Sequence, residues 1–265
     1  MPKITAEPAT TRGDARDAAL TRILGGAAGG AVLVGAAVML VTLVASPGSW
    51  LAGYVSETGT AGLRFAVAYR TGLILLAAGV ALLGLALRPA PRPVAALLGV
   101  AAFLAAVSGV VPCTNQCPLP PFEPTTLSDV VHTAASIIGM VMLAGVMAMI
   151  GFSSLLRSPA LTRALSFFAP AVVAFFRPAS RRLSAVGATL MVPLGAALGL
   201  TMLFAGRGPV GAILERLALT VAVSWLIGMS LLTILRSSVK VESWSRSIPP
   251  HSKTGSRSSN DASPS

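Results

Sequence analysis

The chain has 265 residues, of which 54% are hydrophobic and only 11% are charged. An ordinary soluble domain carries about 25% charged residues, and a soluble fold has nowhere to bury so much apolar surface. The formal net charge of +11 would suit nucleic acid, but the basic residues stand in connectors and in the tail, without a continuous patch of interleaved aromatics. Composition therefore excludes an ordinary soluble domain and argues against nucleic acid as a partner.

Segment 1–22 is polar and of mixed charge, a composition typical of a disordered terminus. The apolar run Ile23–Val44 follows it. This run exceeds the about 7–15 residues of a signal-peptide core and matches the about 20 residues that cross a bilayer. A signal peptide cleaved at Val44-Ala45-Ser46 is the alternative, and Asp14 and Asp17 in the leader fit it poorly. We predict a disordered cytoplasmic N-terminus and an uncleaved first membrane helix.

Six apolar stretches meet or approach the length needed to cross a membrane, about 20 residues. The second and third are separated only by the short turn Arg88–Pro93, so we expect these two helices to form an antiparallel hairpin. The predicted fold is all-α, a polytopic transmembrane bundle of six helices in residues 23–235. The predicted spans are Ile23–Val44, Thr71–Leu87, Val94–Val111, Val130–Leu155, Leu183–Phe204 and Ala212–Leu235.

The connection Leu156–Arg182 between the fourth and fifth spans alternates phenylalanine pairs with arginines and contains Pro170. This pattern is typical of a segment that lies in the membrane interface, here on the cytoplasmic side. A broken seventh span is the alternative, and it would move the C-terminus to the other side of the membrane. We predict the interfacial segment.

The flanks of the spans differ in positive charge, which sets the orientation of a membrane protein. With the N-terminus inside, sixteen lysines and arginines lie in inner segments and four lie in outer segments. We predict a multi-pass protein of the cell membrane with both termini cytoplasmic and the cysteine-containing loop outside. The inner residues are Lys3, Arg12, Arg16, Arg22, Arg88, Arg92, Arg157, Arg163, Arg177, Arg181, Arg182, Arg236, Lys240, Arg246, Lys253 and Arg257, and the outer residues are Arg64, Arg70, Arg207 and Arg216.

The C-terminal segment 236–265 is serine-rich, basic and poor in apolar residues, so we predict a disordered cytoplasmic tail. Its positive charge is explained by a solvated anchor on the inner side. A patch that binds anionic lipid and is tuned by phosphorylation is the alternative. The charges are spread along the tail rather than clustered, which favours the anchor. His251 in this tail is assigned no role.

Both cysteines lie between the third and fourth spans, in the sequence CTNQC. Because disulfides persist in oxidising compartments, an outward-facing loop favours a bond between Cys113 and Cys117. Free thiols and half of a metal site are the alternatives. Zinc usually takes four ligands, and only one histidine, His132, is near. We predict a disulfide, no metal site and no cofactor.

The fourth span opens with Ser128-Asp129-Val-Val-His132. A serine or an aspartate at a helix start accepts hydrogen bonds from unpaired backbone amides, so capping explains Asp129. Capping does not explain His132, a polar ring at the membrane edge. At helical spacing Asp129, His132, Ser136 and Gly139 share one stripe of polar and small residues, which we expect to face the bundle.

The first outer loop brings Glu57 to the same side of the membrane, with Arg64 or Arg70 available to balance its charge. Charged groups near lipid are costly unless they are paired or hydrated. We therefore predict that Glu57, Asp129 and His132 converge at the outer mouth of the bundle. These three residues are the candidate catalytic residues, and charge pairing between the loops is the alternative role.

Three further features concern packing, the interface and the spans themselves. In the first span Gly25 and Gly29, and likewise Gly26 and Gly30, form small-xxx-small pairs that allow close helix packing. Trp50 and Tyr54 in the first outer loop fit the aromatic belt at the membrane interface. The central parts of the spans carry no acidic or basic residue, which argues against a proton-coupled pump.

Several short motifs occur together in this chain: YVSETGTAG after the first span, Arg70 at the start of the second, and a Cys-Pro loop that leads into SDVVH. In this combination the chain resembles the bacterial six-helix membrane family called domain of unknown function 998. Its Ser-Glu-Thr-Gly segment is also similar to the Ser-Asp-Thr-Gly motif of DRAM/Sfk-like membrane proteins. The first resemblance implies a six-helix membrane fold without an assigned activity, and the second implies a link to lipid organisation and trafficking.

Two classes of function follow. The first is a non-catalytic integral membrane protein that organises or senses membrane lipid or protein partners through its outer loops and bundle. The second is a membrane-embedded hydrolase or transferase that uses Glu57, Asp129 and His132 as acid–base groups. A ceramidase-like zinc enzyme would need several histidines, and the membrane region holds one. A carrier of a small apolar solute is a third class; we favour the first.

Overall fold

The computed structural model describes residues 10–46, 53–114, 117–118, 122–153 and 169–247. These residues form helices, one short 3-10 turn and connecting loops, and no strand occurs among them. The predicted all-α class is therefore confirmed. The helices are α1 (Thr10–Ala45), α2 (Ala66–Ala86), α3 (Arg92–Val110), α4 (Leu127–Gly151), α5 (Ala169–Phe175), α6 (Pro178–Ala205) and α7 (Pro209–Ser247), and the 3-10 turn is Ser56–Gly59.

Six of these helices, all except α5, are long and apolar enough to cross a membrane. This confirms the predicted number of spans and makes the chain a multi-pass helical bundle. The seven described residues of α5 rise by about 10 Å and do not cross a membrane by themselves, so the alternative of a broken seventh span is not tested. The remainder of the predicted interfacial segment, up to residue 168, lies outside the described residues, so its place in the interface stays a prediction.

Two helices extend well beyond the predicted spans. Helix α1 begins at Thr10 rather than near Ile23, and α7 continues to Ser247 rather than ending near Leu235. The structure thus differs from the prediction of disorder at residues 10–22 and 236–247, which are helical. Once a helix has nucleated, each added residue gains a hydrogen bond at little cost, so polar sequence beside a span continues it. The outer parts of both predicted disordered segments lie outside the described residues.

The six spanning helices form a closed ring in the order α1, α2, α3, α4, α6 and α7, with α7 packed against α1. At the α1–α7 contact, ideal Cβ positions on Gly25 and Gly29 lie 3.4 and 3.2 Å from the nearest Ser230 atoms. Gly26 and Gly30 have nothing within 4 Å of theirs. One of the two predicted small-residue pairs is therefore a helix contact.

Helix α6 is anchored in the ring by the half that follows Pro178. Trp225 of α7 is buried and donates its indole N–H to Oγ of Ser184 at 2.9 Å. Gly151 at the end of α4 lies directly against the backbone of Ala185. Small residues allow such backbone contacts between membrane helices, so α4, α6 and α7 meet closely at this level.

The connecting loops lie at two opposite ends of the ring. The loops between α1 and α2, between α3 and α4, and between α6 and α7 meet at one end, where Arg207 lies beside both Glu57 and Glu123. We call this the cysteine end, because it holds the Cys113–Cys117 loop. The turn between α2 and α3 lies with helix α5 at the other end, which we call the α5 end.

Candidate functional site

One arginine joins the three loops of the cysteine end. Arg207, between α6 and α7, donates to Oε1 of Glu57 at 2.7 Å and to Oε2 of Glu123 at 3.4 Å. The Arg207 and Glu57 side chains are 19% and 21% exposed, so water screens this pair only in part. The predicted partners of Glu57, Arg64 and Arg70, are therefore wrong.

Both of those arginines have other partners. Arg70 donates from Nε to the Gly109 carbonyl at 2.8 Å and from a terminal nitrogen to the Val110 carbonyl. It thereby caps the last carbonyls of α3, which have no partner within the helix. The guanidinium of Arg64 lies 5.3 Å from the ring centroid of its neighbour Phe65. Neither arginine is needed for Glu57, because Arg207 reaches it from the far end of the chain.

A second carboxylate, which the sequence analysis passed over, fastens the first loop to α7. Glu215 accepts the N–H of Val55 at 2.6 Å and that of Ser56 at 3.4 Å. These amides begin the 3-10 turn, and the start of a helical turn presents unpaired N–H groups to which a carboxylate is well suited. The neighbouring Arg216 donates to the Gly53 carbonyl at 2.5 Å. Two adjacent residues of α7 thus hold the same loop.

Asp129 is buried, 1% exposed, and its hydrogen bonds go to two threonines. Oδ1 accepts the N–H of Thr114 at 2.6 Å, and Oδ2 accepts the hydroxyl of Thr114 at 2.8 Å. Oδ2 also accepts the N–H and the hydroxyl of Thr126 at 2.8 and 2.6 Å. Thr126 is the N-cap of α4 and forms a capping box with Asp129. The carboxylate therefore ties the cysteine loop to the first turn of α4.

The cysteine loop is closed by the predicted disulfide. Cys113 and Cys117 are bonded, and both are buried. The residue that completes the tight loop, Cys117, has a φ of 57°, in the left-handed region that non-glycine residues seldom occupy. The carbonyl of Cys113 accepts the N–H of Ala61 from the first loop at 3.2 Å. The bonded loop is thus joined to the first loop as well as to α4.

His132 lies one helical turn after Asp129 and is 5% exposed. Its Nδ1 lies 2.9 Å from the Val111 carbonyl, which only an Nδ1–H can satisfy. Oγ of Ser108 lies 3.3 Å from Nδ1 and 2.7 Å from Oγ of Ser136. The ring therefore belongs to a small polar network between α3 and α4.

The same histidine lies beside the two bonded sulfurs. Ligand atoms of Cys113, Cys117 and His132 all fall within 4.8 Å of one another. Metal ligation by cysteine requires thiolates, and both sulfurs are committed to the disulfide. The chemistry of this cluster in its oxidised form therefore does not fit a metal ion.

A cavity of about 570 Å³ occupies the middle of the ring, bordered mainly by α2, α4, α6 and α7. His132 and Ala148 both line it; at about 1.5 Å per residue they are about 24 Å apart along α4. Its wall is apolar except near the cysteine end. The polar side chains there include Tyr54, Ser56, Ser108, His132, Arg207 and Glu215.

The cavity opens sideways between α4 and α6. The lining residues Val141 of α4 and Val192 of α6 are 57% and 55% exposed, whereas α4 and α6 touch at Gly151 and Ala185. The two helices therefore diverge towards the cysteine end. Pro193 lies inside α6, where the lack of a backbone N–H weakens the helix at the level of the opening.

Tyr54 is 5% exposed and lines the cavity. Its predicted place in the aromatic belt is therefore wrong, because the loop folds inwards over the ring. The other predicted belt residue, Trp50, lies outside the described residues. The hydroxyl packs so closely on α7 that a Cβ on Gly211 would collide with it. Burial raises the pKa of the Tyr54 phenol above its ordinary value, so the group stays uncharged at neutral pH.

The three predicted site residues lie at one end of the bundle but in different networks. Glu57 pairs with Arg207, Asp129 bonds to two threonines, and His132 bonds to Val111 and Ser108. Among the described residues, no hydrogen bond or ion pair joins any two of the three. Of the three, His132 alone lines the cavity.

Glu215, Tyr54 and Ser108 line the cavity and were missed as site residues. A signal existed for Glu215, because it is the one acidic residue inside the predicted span Ala212–Leu235. Ionisable residues within membrane spans usually face the bundle interior. For Tyr54 and Ser108 the sequence offered no comparable signal, since both residue types are common at membrane boundaries and in spans.

Comparison with known proteins identifies the family. The chain has no match among curated proteins, and none among solved structures. The profile of the family described as "Protein of unknown function (DUF998)" matches residues 27–232. This match covers all six spanning helices in whole or in large part, in agreement with the resemblance of the loop motifs. The chain belongs to this family.

Proposed function

We propose that this protein is a non-catalytic membrane protein that binds one amphiphilic membrane lipid inside its helix ring. The observation that supports this function best is the cavity of about 570 Å³ in the ring. Sites for small molecules usually measure about 300–1,000 Å³, with apolar walls and a few polar groups that fix orientation. The cavity has this size and this distribution of surfaces.

The chemistry of the wall matches the two parts of a lipid. The apolar part extends along α4 as far as Ala148, which suits an acyl chain lying parallel to the helices. The polar groups at the cysteine end include the imidazole of His132, the hydroxyl of Ser108 and the side chain of Glu215. They offer both hydrogen-bond donors and acceptors to a head group. A ligand that is polar at one end and apolar over the rest satisfies both regions.

The sideways opening supplies a route for such a ligand. Val141 and Val192 border the opening and are more than half exposed on the apolar surface of the bundle. The loops joined by Arg207 and Glu215 cover the cysteine end. A molecule already dissolved in the bilayer therefore enters between α4 and α6 without crossing water.

An acyl hydrolase or transferase is the alternative function. It is favoured by one contact, the hydroxyl of Ser108 beside the His132 ring at the cavity wall. Two observations speak against it. The His132 Nδ1 is directed to a backbone carbonyl, not to an orienting carboxylate, and Asp129 is fully engaged by threonines. If the protein is non-catalytic, the unchanged protein and His132→Ala should both show no lipid cleavage above background.

We also propose that the cysteine end faces outwards from the cell membrane, with both chain termini in the cytoplasm. The excess of inner arginines and the disulfide, which persists in an oxidising compartment, support this orientation. A cysteine introduced as Pro250→Cys should react with a membrane-impermeant maleimide only after the cells are opened. Labelling from outside intact cells would contradict the orientation.

Lipid occupancy is tested by filling the cavity. Gly199 of α6 lines the opening, and a Cβ there meets nothing within 4 Å, so Gly199→Phe places a ring in the cavity without a backbone clash. Gly30→Phe on α1 is the matched control, because its Cβ position is equally open and it does not line the cavity. We expect native mass spectrometry to show one lipid in the purified protein that depends on an open cavity.

That lipid should remain in Gly30→Phe and disappear in Gly199→Phe. Equal retention in the two variants would contradict binding in the cavity. An unmodified protein that carries no lipid when it is released in bilayer discs, without detergent, would contradict the proposed function itself. Lipid cleavage that depends on His132 would replace it with the hydrolase.

A further inference from the structure

A second cleft, of about 480 Å³, lies at the α5 end, on the opposite side of the membrane from the polar groups of the cavity. Its walls come from the turn between α2 and α3, from α5 and from the last membrane turns of α7. Arg92 contributes from the start of α3 and Arg236 from α7, and Phe175 forms part of the α5 wall. The cleft therefore combines two cationic side chains with apolar surface at the end of the bundle.

The guanidinium of Arg236 is held in place by an aromatic ring. Its central carbon lies 4.0 Å from the centroid of Phe175, a distance at which cation and ring attract each other. The side chain is only half-buried, so part of the guanidinium remains available to a ligand. Stacking covers one face of the planar group and does not use its N–H donors.

Several arginines gather here, and none of those whose side chains the structure describes at this end forms a described ion pair. Arg177, just after α5, lies near enough to Arg236 for the two charges to repel each other. Both described ion pairs belong to the cysteine end, and none joins a described carboxylate to Arg92, Arg177 or Arg236. Asp17, an exposed carboxylate of α1, lies at the same end and forms no described ion pair. Grouping like charges is unfavourable unless an anion lies between them.

We propose that this cleft binds the phosphodiester of an anionic phospholipid from the leaflet at the α5 end. Guanidinium groups bind phosphate oxygens through pairs of parallel hydrogen bonds, and basic pockets between membrane helices suit acidic head groups. Phe175 and the small residues of α5 offer apolar surface to the first carbons of the acyl chains. The site is separate from the central cavity, so it does not depend on the function proposed above.

The test measures head-group preference in bilayers of known composition. The full-length protein is placed in discs that contain phosphatidylcholine with phosphatidylglycerol, and the lipids retained after delipidation are counted by native mass spectrometry. We expect phosphatidylglycerol to be enriched on the protein. Removal of surface-proximal basic charge typically weakens anionic-lipid attraction by roughly fivefold per residue, so Arg92→Gln with Arg236→Gln should abolish most of the enrichment.

Arg182→Gln is the matched control, because Arg182 is an exposed arginine at the same end that does not line the cleft. It should retain the enrichment of the unchanged protein. Equal loss in the control and in the double variant would mean diffuse surface charge and would overturn the site. Unchanged enrichment in the double variant would overturn it as well.

Two further measurements keep the outcome decisive. If the double variant does not fold, Arg236→Lys preserves the charge while losing the planar stacked group, and it should lower the enrichment in part.

Soluble inorganic phosphate or pyrophosphate is then added to the discs. Displacement of the lipid by millimolar pyrophosphate would identify a site for free phosphate, against the proposal, whereas retention supports the phospholipid.

Discussion

Gly35 of α1 and Gly72 of α2 lie against each other's backbone. A Cβ on Gly35 would lie 2.5 Å from the carbonyl oxygen of Gly72, and a Cβ on Gly72 would lie 2.8 Å from the carbonyl oxygen of Gly35. Real Cβ contacts of this length do not occur, so only glycine allows this approach at both positions. Because lipid supplies no hydrophobic drive for helix association, close backbone packing of this kind stabilises the ring.

We predict that Gly35→Ala destabilises the bundle. The added methyl meets backbone atoms, which cannot move away as a flexible side chain can, so overpacking should cost about 1–3 kcal/mol. Gly30→Ala on the same helix is the control. Its Cβ position is open, and alanine is the better helix former by about 0.5–1 kcal/mol. Thermal unfolding in mild detergent should therefore give a lower Tm for the first variant only. Equal Tm values would contradict the contact.

Asp129→Asn should lower stability while leaving membrane insertion intact. The amide keeps one oxygen and replaces the other with a donor, which then faces the N–H and hydroxyl donors of Thr114 and Thr126. A buried donor without a partner costs about 1–3 kcal/mol, so a loss of that size is expected in thermal unfolding. Ser128→Ala, which removes a single exposed hydroxyl contact, should change stability by less than about 0.5 kcal/mol.

The two carboxylates beside Arg207 should differ in their contribution. Glu57 lies at 2.7 Å and is 21% exposed, whereas Glu123 lies at 3.4 Å and is 40% exposed. Exposed pairs contribute about 0.2–1 kcal/mol, and the shorter, less hydrated pair should lie at the upper limit. Glu57→Gln should therefore lower the Tm more than Glu123→Gln. A larger effect of Glu123→Gln, or effects that do not shrink in high salt, would refute the ranking.

The disulfide should be present in protein taken directly from the membrane. Maleimide tagging under denaturing, non-reducing conditions should add no tag, and two tags per chain would show free thiols. Chain entropy predicts that removing a disulfide that closes a loop as short as Cys113–Cys117 lowers the free energy of unfolding by about 2 kcal/mol. The double substitution of both cysteines by serine should accordingly unfold at lower temperature, and dithiothreitol should lower the Tm of the unchanged chain towards that value.

The spans were predictable because the membrane imposes a local rule: about 20 apolar residues in a row. Gly35 and Gly72 do not stand out among many glycines, since only the ring arrangement shows which of them face a neighbouring helix. The helical extensions at Thr10 and Ser247 were missed for a related reason. Polar composition was interpreted as disorder, although an adjoining span supplies the nucleus that such a segment lacks alone.

The sequence predicted which residues lie at the cysteine end, but it did not predict which residues they bond to. Glu57, Asp129 and His132 lie where the span boundaries placed them, at the cysteine end. Their partners come from other parts of the chain, such as Arg207, which is 150 positions from Glu57. Proximity in the sequence favoured Arg64 or Arg70 as the partner of Glu57. A single sequence does not show which residues meet across the helix ring.

The opening between α4 and α6 determines which concentration controls the occupancy of the cavity. A molecule that enters past Val141 and Val192 equilibrates with the bilayer, so its occupancy follows its mole fraction among the lipids and not its concentration in the aqueous phase. Dilution in buffer would then leave the bound fraction unchanged, whereas exchange of the surrounding lipid would replace the occupant. Detergent micelles, which fill the same lateral route, would compete for the cavity directly.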